Sequence, residues 1–199
     1  MDFIEIKNKL DEIRIKKQTC EFNLKSRKER LDEIKGEMET LLKSQSLLQE
    51  VAAEVQSKLS VKIDSIVNLG LATCFGDEYH FKLEYVLARG KTEVEFNLYD
   101  REENLVDPML QSGGGLVDLL AFCLRIAVYN ISHTDNVIVF DEAMKYVSAG
   151  FREKAAELIH TLSERLGLQF ISVTHIPEFR DNSDRQFIIA KINGVSNAV

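Results

Sequence analysis

Apolar residues return at alternating intervals of three and four from Phe3 to Leu59. Fourteen of the 17 positions on this stripe are apolar, and only Lys17, Arg27 and Gln45 are not. An unbroken 3.5-residue repeat keeps one narrow face of a helix turned toward a partner helix, so residues 1–60 are predicted to form one strand of a coiled coil. At the usual rise per residue this is a rod on the order of 85 Å. The competing reading is a single amphipathic helix folded back into a bundle, and the unshifting register disfavours it. Residues 61–199 are too few to cover such a rod and contain no second segment of this kind. A partner helix is therefore expected from another chain. Gly36 falls off the stripe and costs ~1 kcal/mol of helix propensity.

The chain divides near residue 60. Residues 1–60 balance 12 basic against 12 acidic residues, so the whole formal charge of −7 lies in residues 61–199. That acidic balance argues against nucleic-acid binding by the chain as a whole, although a local patch stays open. Lys16-Lys17 and the run from Lys25 to Arg30 are the best such patch; the alternative is a solvated flank of the coiled coil. Two prolines in 199 residues disfavour a turn-rich all-β fold. No membrane span is expected. Three widely spaced cysteines and no signal-peptide pattern make a reducing cytoplasm the default expectation. There is no GxxxxGK[ST] phosphate loop.

Residues 61–199 read as one lobe. Val61–Leu71 continues as helix, ending around Gly70. Tyr79–Leu87 and Glu93–Tyr99 flank the segment 88–92 as a β-hairpin. Pro108 closes the next loop. A glycine run, Ser112-Gly113-Gly114-Gly115, leads into a helix over Leu116–Tyr129. Val137–Phe140 is a short apolar run ending in Asp141-Glu142, as in a buried parallel strand. Phe151–Leu166 is helical with Gly167 as its stop. Gln169–Val173 is a second buried strand ending in Thr174-His175, and Arg185–Ile192 a third. Strand, helix, strand with polar residues at the strand ends describes an α/β sheet with its site at the carboxyl edge.

Three motifs meet at that edge. Asp141 can hold a magnesium ion, and Glu142 can polarise an attacking water. Two solvated acids capping a strand are the plainer alternative. The glycines free backbone N–H groups to point at an anion ahead of a helix N-terminus, unless they form only a flexible turn. His175 can polarise a phosphate, or serve as a structural hydrogen bonder.

Order and spacing bind these readings together, with 29 residues from Ser112 to Asp141 and 33 from Glu142 to His175. In this arrangement the chain resembles the C-terminal lobe of an ABC-type ATPase of the SMC and SbcC-like DNA-repair class. SGGG resembles the signature motif, VIVFDE the Walker B strand and His175 the switch histidine. LLAFCLRIA, residues 119–127, resembles the signature helix, with Arg125 in its basic position. The resemblance implies ATP and Mg²⁺ as cofactors, bound between two heads. It implies Asp141 on Mg²⁺, Glu142 activating water, His175 contacting the γ-phosphate, and Ser112, Gly113 and Gly114 touching the γ-phosphate held by an opposing head. Double-stranded DNA and a nuclease subunit are implied as partners by the family alone.

The chain departs from that pattern in three respects. Gly115 stands where the signature usually has Gln or Glu. Ser148 stands about where an aspartate crosses the dimer interface. Walker A, the Q-loop and the ascending coiled-coil helix are absent. The favoured reading is half of a split ATPase, hydrolysing ATP only when completed by a Walker A-bearing lobe on a separate chain or missing segment. The alternative is a non-enzymatic coiled-coil regulator or decoy bound to another head.

Overall fold

The structure is a computed structural model that describes residues 3–111, 113–132, 135–192 and 195–198. Its backbone falls into two compact units, Met1–Val55 and Gln56–Val199.

The first unit is helical throughout its described part, within a helix α1 spanning Phe3–Phe75. Every described residue from Phe3 to Val55 is exposed, the apolar stripe included. Leu10, Leu24 and Leu41 each leave more than half of their surface in water.

In the second unit the end of α1 becomes a core helix. Ile63, Ile66, Val67, Leu71 and Cys74 are buried on one face. Gly70, expected as a stop, lies inside the helix. A Cβ there would sit 2.4 Å from Cys123 Sγ, so glycine is required by the close approach of a second helix. The helix ends instead at Gly76, whose φ of +70° supplies the left-handed C-terminal turn.

A three-stranded antiparallel sheet follows, in the order β1 (Tyr79–Ala88), β2 (Lys91–Asp100), β3 (Leu105–Val106). The hairpin is tighter than expected. Only Arg89 and Gly90 form its turn, with φ of +52° and +75°, as the twist-matched two-residue turn requires. The free edge of β1 is held by α1. Asn68 donates from Nδ2 to the Phe81 carbonyl at 2.8 Å and accepts the Phe81 N–H on Oδ1 at 2.7 Å. Asp64 Oδ1 accepts the Leu83 N–H at 2.9 Å. One helical turn of polar side chains thus does for β1 what a neighbouring strand would do.

Pro108 opens a short helix, α2 (Pro108–Gln111), rather than closing a loop. The main core helix, α3 (Gly114–Ile131), buries Leu116, Leu119, Phe122, Cys123, Ile126 and Ala127. Its length and apolar composition would let it cross a membrane. It serves as the core helix of this unit, and Asp118 and Arg125 interrupt its apolar run.

β4 (Val137–Asp141) and β5 (Gln169–Val173) pair in parallel, joined through α4 (Ala149–Leu166). Gly167 caps α4 in the left-handed conformation at φ +64°, as its sequence predicts. Phe122, Phe140 and Phe170 meet in tilted ring contacts, with centroids 4.9 to 6.4 Å apart. The two strands were expected to be buried throughout, but cover is confined to one face, where Phe140 is buried, Ile138 and Phe170 are half-buried and Ser172 is exposed. On the other, Val139 is 67% exposed, Val173 58%, Ile171 47% and Val137 40%. After α5 (Pro177–Asp181), the third expected strand is shorter than predicted. β6 (Ile189–Ile192) pairs antiparallel with β7 (Val195–Ala198) and does not extend the β4–β5 sheet.

Candidate functional site

Parallel strands in register deliver their last residues to one edge. Asp141 stands opposite Val173 at the final rung. The Glu142 N–H then donates to the Val173 carbonyl at 2.9 Å, which carries the ladder one step further. At Glu142 the backbone turns into the left-handed region, with φ +51°, and Met144 does so again at +58°. Two non-glycine residues in that region within three positions store backbone strain of order 1 kcal/mol or more each.

Geometry brings the two acid–base candidates together. His175 Nδ1 lies 2.8 Å from Glu142 Oε2, with the histidine mostly exposed and the carboxylate partly covered. Thr174 helps place the histidine. Its hydroxyl accepts the Ile176 N–H at 3.1 Å, and Ile176 is buried. Asp141 is exposed beside them.

Behind this pair, the start of α3 packs on the loop that follows β4. Gly113 is the exposed residue at the cap of α3, and Gly114 and Gly115 form its first turn. A Cβ on Gly114 would meet Tyr146 Cβ at 3.6 Å. A Cβ on Gly115 would meet the Tyr146 carbonyl oxygen at 3.1 Å and Val147 Cα at 3.3 Å. This gives the departure at position 115 a physical reason: the stem of a glutamine or glutamate would crowd the Tyr146–Val147 backbone, which would have to give by a few tenths of an ångström. The Tyr146 N–H also donates to Asp118 Oδ2 at 2.9 Å. Asp118 was not among the expected residues. Its only signal in the sequence is a lone acid inside the apolar run Leu116–Leu124.

The remaining candidates lie apart from the pair or outside it. Ser112 lies outside the described residues. Ser148 caps α4 through its backbone, its carbonyl accepting the Phe151 N–H at 2.9 Å, without a side-chain cap. Arg125 is exposed in the middle of α3.

The donor set also bears on the expected magnesium. No group of three or more His, Cys, Asp or Glu side chains that could hold a metal gathers among the described residues. Mg²⁺ at nucleotide sites is held by one or two carboxylates, with phosphate and water filling its octahedron. One exposed strand-end aspartate fits that role; a dedicated protein cage does not.

The described residues form a mixed helix-and-sheet lobe preceded by a long helix. Solved structures make the fold more specific. The chain is similar to the Smc head domain with a coiled coil and joint from Pyrococcus yayanosii, at 18% identity and TM-score 0.62, over 89% of this chain and 33% of that one. It is similar to an Smc head bound to the C-terminal winged-helix domain of ScpA, at 20% identity and TM-score 0.59, over 76% of this chain and 44% of that one. A third match is a chain from a study of ATP-driven dimerization and DNA-stimulated activation of SMC ATPases, at 18% identity and TM-score 0.56. It covers 73% of this chain and 87% of that one. The fold is therefore that of the C-terminal lobe of SMC head domains, and the chain spans less than half of the ScpA-bound head. No family model and no curated protein sequence matches the chain.

Proposed function

We propose that this chain is the C-terminal half of an SMC-type ATPase head, completed by a lobe that carries Walker A. The observation that carries this reading is the β4–β5 sheet. All-parallel sheets are stable when both faces are covered, and two strands alone are a fragment of one. Here an apolar face of Val137, Val139, Ile171 and Val173 is open, and it lies beside the edge that bears Asp141, Glu142 and His175. A lobe laid on that face would bury the valines and bring a phosphate-binding loop to the same edge.

In the completed site ATP would supply the phosphoryl group and Mg²⁺ its charge neutralisation. Asp141 would hold the ion. Glu142 would accept a proton from the attacking water, with His175 fixing the carboxylate's orientation from 2.8 Å. Ser112, Gly113 and Gly114 would present N–H groups to nucleotide on an opposing head. Arg125 and Ser148 would lie at or near the surfaces that respond to engagement. One similar solved chain is described by ATP-driven dimerization, and others by binding to ScpA. We extend the first behaviour to this chain, and a ScpA-like domain is a candidate partner. Action on double-stranded DNA in repair or recombination, with a nuclease subunit, completes the reading implied by the sequence resemblance, in a cytoplasmic setting.

The test is co-expression with a Walker A-bearing lobe. ATP turnover should appear only in the pair and fall at least ~100-fold in Glu142→Gln, while ATP-dependent association survives. Turnover by the purified chain alone at the rate of the pair would sink the proposal.

A further inference from the structure

The apolar stripe of α1 carries a charge pattern of its own. Each heptad has two stripe positions and two more that flank them and line the contact with a partner helix. In Phe3–Val55, nine of the eleven basic residues stand on these four positions, but only two of the eleven acidic residues do, Glu21 and Glu37. The other nine acids lie on the far side. Lys17 and Arg27 sit on the stripe itself, and Lys16, Lys28 and Arg30 border it. All are exposed. Lys17 has Glu21 at 3.7 Å and Arg30 has Glu33 at 2.9 Å within the helix. Exposed pairs of this kind contribute little and leave the cations on the contact side.

This pattern opposes pairing with an identical helix. In a parallel pair Lys17 would face Lys17, Arg27 would face Arg27, and Lys9 and Arg30 would border Arg14 and Lys35 of the other copy. In an antiparallel pair no register puts an acid directly opposite either stripe cation, because none of the 17 stripe positions is Asp or Glu, and only Glu21 and Glu37 on the border could approach them. A polyanion such as duplex DNA would answer the charges but leave Leu10, Ile13, Leu24, Leu31 and Ile34 uncovered. A helix answers both.

We infer that α1 docks a helix with an apolar seam bordered by Asp and Glu, and rejects a second copy of itself. The partner's identity as the helix of the missing lobe rests on the proposed function; the charge selection rests on α1 alone.

The full chain is titrated with two synthetic coiled-coil peptides sharing one Leu/Ile seam, one with Glu and one with Lys at every border position. Binding is read by fluorescence anisotropy without nucleotide. The Glu peptide should bind at least ~10-fold more tightly at about 0.05 M salt, with the gap shrinking at about 0.5 M. The triple variant Lys16→Glu, Lys28→Glu, Arg30→Glu should narrow or reverse the preference, and an unchanged helical circular dichroism signal should show that it still folds. Cys20 lies on the stripe, so mild oxidation reports on self-pairing: a Cys20–Cys20 dimer would overturn the rejection of a second copy. Equal binding of the two peptides, or displacement of the Glu peptide by duplex DNA, would overturn the inference. No nucleotide enters this assay, so its failure leaves the ATPase reading standing. A chain that selects the Glu peptide but forms no ATP-dependent complex would fail that reading alone.

Discussion

Glu142 Oε2 and His175 Nδ1 lie 2.8 Å apart, although they stand 33 positions apart in the chain. The parallel pairing of β4 and β5 puts them there, and Glu142 reaches the position through a left-handed backbone. Strain and the proposed chemistry therefore share one residue. Asparagine tolerates that backbone better than other side chains, so Glu142→Asn should unfold at higher denaturant than Glu142→Gln, by about 0.5–1 kcal/mol. Both lack the carboxylate, and both should be inactive in the proposed two-lobe enzyme. Equal stability of the two variants would show that the turn is not strained.

The open face of β4–β5 separates folding from assembly. Val139 is 67% exposed, so Val139→Lys should lower the stability of the chain alone by no more than ~1 kcal/mol. Binding of the Walker A-bearing lobe should weaken at least ~10-fold, because a lysine would be trapped under an apolar surface. Thermal melts and a pull-down read the two effects. Unimpaired binding would place the second lobe elsewhere.

Gly70 and Cys123 mark the contact of α1 with α3. Gly70→Ala gains helix propensity but drives a methyl to 2.4 Å from a sulfur that is itself buried. A net loss of about 1–3 kcal/mol is expected. Cys123→Ala should restore most of it in the double variant, although it costs stability by itself. Burial also pushes the Cys74 thiol up to about 11 and the Cys123 thiol up to about 12. At pH 8 only exposed Cys20 should alkylate in the folded chain. Mass spectrometry before and after denaturation counts the thiols.

Asn68 and Asp64 hold the free edge of β1, and they should respond differently to substitution. Asn68→Ala strands the Phe81 N–H and carbonyl and should cost about 1–3 kcal/mol. Desolvation raises the Asp64 pKa above 3.8, partly offset by its bond from Leu83. The folded state therefore holds this proton more tightly than the unfolded state does. The contribution of Asp64 is fully present below 3.8 and is lost as pH rises through the raised value. Asp64→Asn keeps the acceptor and removes the charge, so its stability relative to the parent should be higher at pH 7 than at pH 3. Chemical denaturation at the two pH values checks the sign.

Much of this architecture was legible because the elements carry local signals. The 3.5-residue repeat, the apolar strand before Asp141-Glu142 and the stop at Gly167 each act within a few residues. What stayed hidden depends on residues far apart. Gly70 reads as a stop until Cys123 is seen against it. Gly115 reads as a lapse in a motif until Tyr146 and Val147 fill the space beside it. Val139 and Val173 look like core because their composition is apolar, yet composition cannot tell which face of a sheet another lobe must cover. The segment 185–192 holds a strand, but pairing decides its sheet, and β6 finds β7 next to it.

The contact of Gly115 with the Tyr146–Val147 backbone has an evolutionary consequence. A larger side chain at position 115 requires the backbone at 146–147 to give by a few tenths of an ångström, and a loop already shifted that far removes the reason for glycine. The two places should change together along lineages, so that a relative with Gln or Glu at 115 would also carry a different loop after its DE pair. Grafting either alone should yield a poorer protein than grafting both.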